Sequence, residues 1–227
     1  MTRVLVIGGS DQGRQAIDVL EAAGAYTVVG VLDRAIPVGS NVDGYTVLGR
    51  DDELVTVATQ HRADGYLVAI GDNAVRGRII TWARATAANL LLVSAVHPRA
   101  AVSARAEVGP GAIVMADVVV SNGCRLGTGV LLGTKASLDH DCSSGDFASC
   151  APGVTAGGRV HLGAYSSFGL GAKAINGVTV GDHTVVGAGA IVIDDLPDHV
   201  VAFGVPARVT RARAEGEVYL SRATERP

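Results

Sequence analysis

An α/β plus all-β chain is what the sequence predicts: a small Rossmann-like N-terminal domain followed by a left-handed parallel β-helix. Three observations carry this expectation. Residues 1 to about 95 alternate strand-like and helix-like patterns. A strict six-residue period replaces them after His97-Pro98. The 227 residues include 30 glycines and only 4% aromatics, which suits small side chains and repeated tight turns.

The first half reads in order. "RVLVIGG" (3–9) is a short apolar run ending in Gly, the pattern of a buried strand. "GRQAIDVLEAAG" (13–24) spaces Ala16, Ile17, Leu20 and Ala23 as one helix face and stops at Gly24. "YTVVGVLD" (26–33) predicts a second strand, "RDDELVTVATQH" (50–61) a helix and "GYLVAIGD" (65–72) a third strand. "NAVRGRIITWARATA" (73–87) predicts another helix and "NLLLVSAV" (89–96) a last strand. Strand–helix alternation implies a parallel sheet with helices on its faces. Residues 1–96 form the first expected domain.

The second half changes period. Every sixth residue from Val102 to Val192 is apolar except Ser144. Two places before each later member stands a small or β-branched residue or Cys, from Ala106 to Ala190. A fixed short period is the mark of a solenoid. A six-residue unit of one strand and one turn makes a flat face, and three faces close a triangular coil of eighteen residues. Residues eighteen apart then stack at about the 4.8 Å strand spacing. Cys124 and Cys142 are such a pair, read as small core residues. Residues 97–208 form the β-helix, and 209–227 a charged tail expected to be frayed or helical. "GVPAR" (204–208) closes the domain, since Pro206 cannot donate to a strand ladder.

Composition excludes several classes. A formal net charge of −3 gives no electrostatic case for nucleic acid. No apolar run approaches the roughly 18 residues of a membrane helix. "MTRVLVIGG" is too short and too soon broken by Gly for a signal peptide. Three cysteines without CxxC spacing then predict reduced thiols, a cytoplasmic location and no metal.

Two motifs carry chemistry. "GGSDQG" (8–13) sits between a strand and a helix, where backbone N–H groups suit a phosphate, and Asp33 follows about twenty residues on. The missing middle glycine of GxGxxG makes a plain tight turn the competing reading. In "LDHDC" (138–142), the inward Leu138 places His140 in a turn rather than in the prism. Spacing alone reads it as an exposed turn histidine. The eighteen-residue coil puts Gly158 directly over it.

These pieces, in this order, resemble a family. "GGSDQG", "VLDR", "AIGDN", "HPRAAVSARAEVG", "LDHDC" and "GVPAR" are similar to the nucleotide-sugar acyltransferases, which include bacillosamine and perosamine N-acetyltransferases and sialic acid O-acetyltransferase-like proteins. The resemblance implies a homotrimer with acetyl-CoA as co-substrate in the groove between neighbouring β-helices. It implies His140 as general base and Asp141 as its acidic partner, with Asp139 a competitor for that place. An imidazole can take the proton that an attacking amine sheds near neutral pH, and a carboxylate on its other nitrogen fixes the tautomer.

The resemblance further implies acetyl-CoA contacts at Ser149, Gly158, Leu170, Lys173, Ala188 and Arg208. Gly158 would aim a backbone N–H at the oxyanion. Lys173 and Arg208 compete with a reading as solvated surface charge. Nucleotide-sugar contacts are implied at Gly8, Gly9, Ser10, Asp11, Gln12, Gly13, Asp33, Arg34, Gly71 and Asn73. Two positions depart from the family: Asp11-Gln12 stands where a Gly-His pair is usual, and Ser149 where several relatives place a second histidine. His183 is the reserve base.

The expected function is acetyl-CoA-dependent N-acetylation of a nucleotide-linked amino sugar, a 4-amino-6-deoxyhexose, in glycan biosynthesis. O-acetylation of sialic acid or a related sugar is the alternative. A Rossmann oxidoreductase fused to a repeat lacks a further domain for hydride transfer, and a silent sugar-binding trimer is the third rival.

Overall fold

The computed structural model describes residues 1–219. Strand β1 (Thr2–Ile7) leads through a glycine turn into α1 (Asp11–Ala23), and β2 (Tyr26–Leu32) follows. A hairpin of β3 (Asn41–Val42) and β4 (Tyr45–Gly49) comes next, then a 3-10 turn (Asp51–Glu53) and α2 (Leu54–His61). Strand β5 (Gly65–Val68), α3 (Asn73–Thr86) and β6 (Leu91–Leu92) complete the α/β part. The sheet order is β3-β4-β2-β1-β5-β6, parallel except for the hairpin. Four consecutive β1 residues, Val4 to Ile7, are buried, as a strand covered on both faces requires. The hairpin at 41–49 is not part of the sequence reading; its first strand has only two residues and shows no period.

The expected strand at 89–96 is in fact two pieces. Strand β6 ends the α/β sheet, whereas β7 (Ala95–Val96) pairs with Ile113–Val114 and already belongs to the first β-helix face. The two domains are therefore joined inside one apolar run.

From β7 to β23 (Ile191–Val192) each strand is two residues long, and each one up to Lys173–Ala174 pairs in parallel with the strand eighteen residues on. Three faces result. The first carries residues 95, 113, 131, 149, 167 and 185; the second 101, 119, 137, 155, 173 and 191; the third 107, 125, 143, 161 and 179. The six-residue phase fills the interior: Val120, Leu126, Leu132, Leu138, Cys150 and Phe168 are each at most 6% exposed. Burying such a side chain contributes about 1.5–3 kcal/mol. Cys124 and Cys142 lie in the same core, and burial pushes both thiols up, Cys142 to about 11.

The tail corrects the expectation of a frayed or helical end. After β24 (Val200–Phe203), Gly204 to Ala207 form a turn rather than a stop, and β25 (Arg208–Ala212) returns antiparallel. Arg213, 5% exposed, then donates to the His183 and Glu217 carbonyls. Its guanidinium lies 5.5 Å from the Tyr219 ring centroid. The remainder of the expected tail, 220–227, lies outside the described residues.

Arg76 joins the two domains. It is fully buried and makes no salt bridge among the described residues. Its Nε donates to Gly129 O at 2.8 Å, Nη1 to Ile70 O at 2.8 Å, and Nη2 to Asn73 Oδ1 at 2.7 Å and Phe147 O at 2.9 Å. Burial lowers its pKa to about 10. Replacing Arg76 with Met should cost at least about 3 kcal/mol in urea unfolding, since each orphaned buried acceptor costs about 1–3 kcal/mol. A loss below about 1 kcal/mol would show that Arg76 does not hold the junction.

Candidate active site

His140 stands at the corner between the second and third faces, just after Ser137–Leu138. Leu138 and Cys142 point inward, 6% and 2% exposed, so the residues between them must turn outward. Asp141 has φ 59°, a left-handed conformation that Asp tolerates better than most residues. Its Oδ2 lies 2.9 Å from His140 Nδ1. Asp139 takes another role: its Oδ1 accepts from the His140 backbone N–H at 2.8 Å. The two flanking carboxylates, equivalent by spacing, thus do different work.

A carboxylate can only accept, so in the neutral ring His140 Nδ1 carries the proton and Nε2 keeps its lone pair. Nε2 faces the next coil. A Cβ built on Gly158 would overlap it, and one built on Gly123, in the coil before, would overlap Asp141 Oδ1. Glycine above and below therefore gives the pair its room. Gly123 escaped the sequence reading, although 141 − 18 = 123 points to it. The His140 and Asp141 side chains are 42% and 59% exposed, open to a ligand arriving from solvent.

The candidate thioester contacts divide into two groups. Gly158 shares the His140 corner, Lys173 lies on the second face paired with Thr155 and Ile191, and Leu170 and Ala188 sit at that face's other corner. These four frame one outer face, with Leu170 59% exposed. Arg208, in β25, reaches Asp194 at 3.1 Å. Ser149 does not join them. It lies on the first face, 4% exposed, with its hydroxyl bonded to Ser167 Oγ at 3.0 Å and Tyr219 Oη at 3.1 Å.

The glycine turn lies at the carboxyl ends of β1, β2 and β5, where open α/β sheets bind ligands. Gly8 has φ 105°, and a Cβ there would sit 2.7 Å from Ala69 O. Gly13 packs against Gly8 O, and Gly9 N donates to Asp33 Oδ2 at 2.7 Å. Ser10 caps α1 without a side-chain hydrogen bond, which frees its hydroxyl. A cleft of about 320 Å³ opens here, lined by Gly8, Ser10, Asp33, Arg34 and Ile70 among others. Burial pushes the Asp33 carboxyl up, but the N–H groups of Gly9, Ile36 and Ala35 outweigh it and hold the pKa below the usual range.

Other expected contacts fall differently. Asp11 is exposed, and Gln12 Nε2 is buried with no partner among the described residues. Gly71 O accepts from Arg76. Asn73 is 1% exposed, and its amide donates to the Ser166 carbonyl at 3.1 Å. It is spent on docking α3 to the β-helix and cannot reach a ligand. Arg34 is tied to Asp51, 3.1 Å away. The reserve base, His183, sits at a different corner from His140. It is stacked between Tyr165 and His199 at 4.8 and 4.9 Å, and burial lowers its pKa.

Comparisons with known proteins agree with this architecture. Residues 3–83 match the PglD N-terminal domain family. A Caulobacter crescentus GDP-perosamine N-acetyltransferase was solved with CoA and GDP-perosamine as a histidine-to-alanine variant. It is 36% identical, with a TM-score of 0.88 over 93% of this chain and 98% of that one. The acetyltransferase domain of PglB from Neisseria gonorrhoeae is 32% identical, with a TM-score of 0.86 over 92% of this chain and 100% of that one. GDP-perosamine N-acetyltransferase from Escherichia coli O157:H7 is 26% identical, over 88% of this chain and 81% of its own length. The first curated relatives match far less. A Staphylococcus aureus protein (strain COL) is 39% identical over 59 residues, which is 26% of this chain and only 30% of that protein.

The geometry makes one direct prediction. In neutral His140, ¹⁵N NMR should find the proton on Nδ1 and a bare Nε2. Asp141→Ala should let the tautomers mix. An Nε2-protonated ring in the unmodified chain would contradict the hydrogen bond to Asp141.

Proposed function

The chain belongs to the nucleotide-sugar acyltransferases, and from that membership we propose that it transfers the acetyl group of acetyl-CoA to the amine of a nucleotide-linked amino sugar. The relatives with GDP-perosamine N-acetyltransferase activity and their complexes with CoA support both substrates. A 4-amino-6-deoxyhexose is the proposed sugar. The single observation in this chain that carries the reading is the His140–Asp141 pair with Gly158 against Nε2.

In this reading the sugar amine attacks the thioester carbonyl. The C–N bond forms as His140 Nε2 takes the amine proton. Asp141 stabilises the imidazolium through Nδ1–H. The Gly158 N–H faces the oxyanion of the tetrahedral intermediate. The C–S bond then breaks, and the proton passes from His140 to the leaving thiolate. Leu170 and Ala188 lie along the pantetheine arm, and Lys173 and Arg208 toward the phosphates of CoA. Gly8, Gly9, Ser10, Gly13 and Asp33 form the nucleotide end. Ser149, buried and lacking an imidazole, leaves a one-histidine mechanism.

A homotrimer, a cytoplasmic location and a role in glycan biosynthesis belong to the same proposal. The exposed apolar groups Leu170, Phe203 and Val205 support an assembly that covers them. Among the described residues no helix is long and apolar enough to cross a membrane.

Thiol release from acetyl-CoA, measured with GDP-, UDP- and dTDP-linked amino sugars and with their hydroxyl counterparts, tests this function. At least one amino sugar should be turned over well above the acetyl-CoA hydrolysis background. A panel in which only hydroxyl sugars are acetylated would establish the O-acetyl alternative instead.

A further inference from the structure

We infer that the nucleobase lies along α3 and that Asp51 selects guanine. This rests on the nucleotide-sugar reading and names the base.

The cleft beside the glycine turn does not end at Asp33. A second cleft of about 210 Å³ shares Arg34, Asp51, Arg78 and Ile79 with it and runs on to Trp82. Val75, Arg78, Ile79 and Trp82 are spaced as one helix face. At 1.5 Å per residue, Val75 to Trp82 spans about 10 Å, long enough for a ribose and a base beyond a diphosphate at the glycine turn. Ile79 and Trp82 give this end apolar walls, which suit the face of an aromatic base.

Asp51 is the one carboxylate of the shared stretch, which also holds Arg34 and Arg78. Its side chain is only 10% exposed, yet it lines both clefts. Oδ1 accepts from Arg34 Nε at 3.1 Å, whereas Oδ2 accepts nothing from the described residues and is not sealed from solvent. A nearly buried carboxylate with a free oxygen is costly unless donors reach it.

The chemistry of the bases then decides. A carboxylate accepts and cannot donate. Uracil and thymine present one N–H between two carbonyl oxygens, which would face the anion. Adenine places an amino group beside a ring acceptor. Guanine alone offers N1–H and the 2-amino group side by side, one for each carboxylate oxygen. Its O6 acceptor then falls toward the Arg34 guanidinium.

Calorimetry of the full chain with GDP, IDP and UDP tests this. IDP keeps N1–H but lacks the 2-amino group, so it should bind about tenfold more weakly than GDP, the scale of a lost bidentate contact. Asp51→Asn should bring the two affinities within about twofold. A purely structural Asp51 would instead lower both equally and leave the ratio intact, which overturns the inference. Equal affinities in the unmodified chain, which need no variant, overturn it as well. Tight UDP binding with weak GDP overturns guanine and leaves the nucleotide-sugar reading standing. Failure of all three nucleotides to bind removes the reading beneath it.

Discussion

In a coil of eighteen residues, each side chain is held about one strand spacing, 4.8 Å, from its successor in the next coil. The geometry at His140 depends on that stacking. The parallel ladder fixes the backbone on both sides, with Arg159 N bonded to His140 O and Asp141 N to Asn122 O. What a residue at the corner can do is then set by what stands eighteen places away. Glycine at 158 and 123 admits the imidazole and the carboxylate, and any larger residue would expel one of them. The site is precise because the repeat is rigid, not because the turn itself is long or elaborate.

The second constraint is the docking of the α/β domain. Helix α3 presents Gly77, Asn73 and Arg76 to one β-helix corner. A Cβ at Gly77 would sit 2.6 Å from Tyr165, so only glycine allows the helix this close. Arg76 donates to backbone carbonyls from both domains, so its charge is spread over dipoles on each side. The same helix carries Arg78, Ile79 and Trp82 on another face, toward the clefts. One helix thus docks on the β-helix with one side and borders the cleft beside the glycine turn with the other.

The period of six was legible because it rests on side-chain volume alone: inward positions must be apolar, and those beside corners must be small. Ser144 is its one polar break. The choice between Asp139 and Asp141 was not legible. It turns on a left-handed backbone at 141, which swings that carboxylate under the ring. The division of 89–96 was hidden because both halves of the run are apolar. Arg76 reads as an ordinary polar helix residue and Asn73 as a nucleotide-sugar contact, since nothing local says which helix face meets a second domain. The burial of Ser149 was hidden for a similar reason: one of its partners, Tyr219, lies 70 residues away in the tail.

The central claim is that His140 is the base of an acetyl transfer. Its most direct measurement is turnover and CoA affinity in His140→Gln, with the amino sugar the unmodified chain prefers. The account predicts a loss in kcat of about 10²–10⁴-fold, the usual worth of a general base, with CoA affinity unchanged. Turnover within a few fold of the unmodified chain would contradict it and place the base elsewhere.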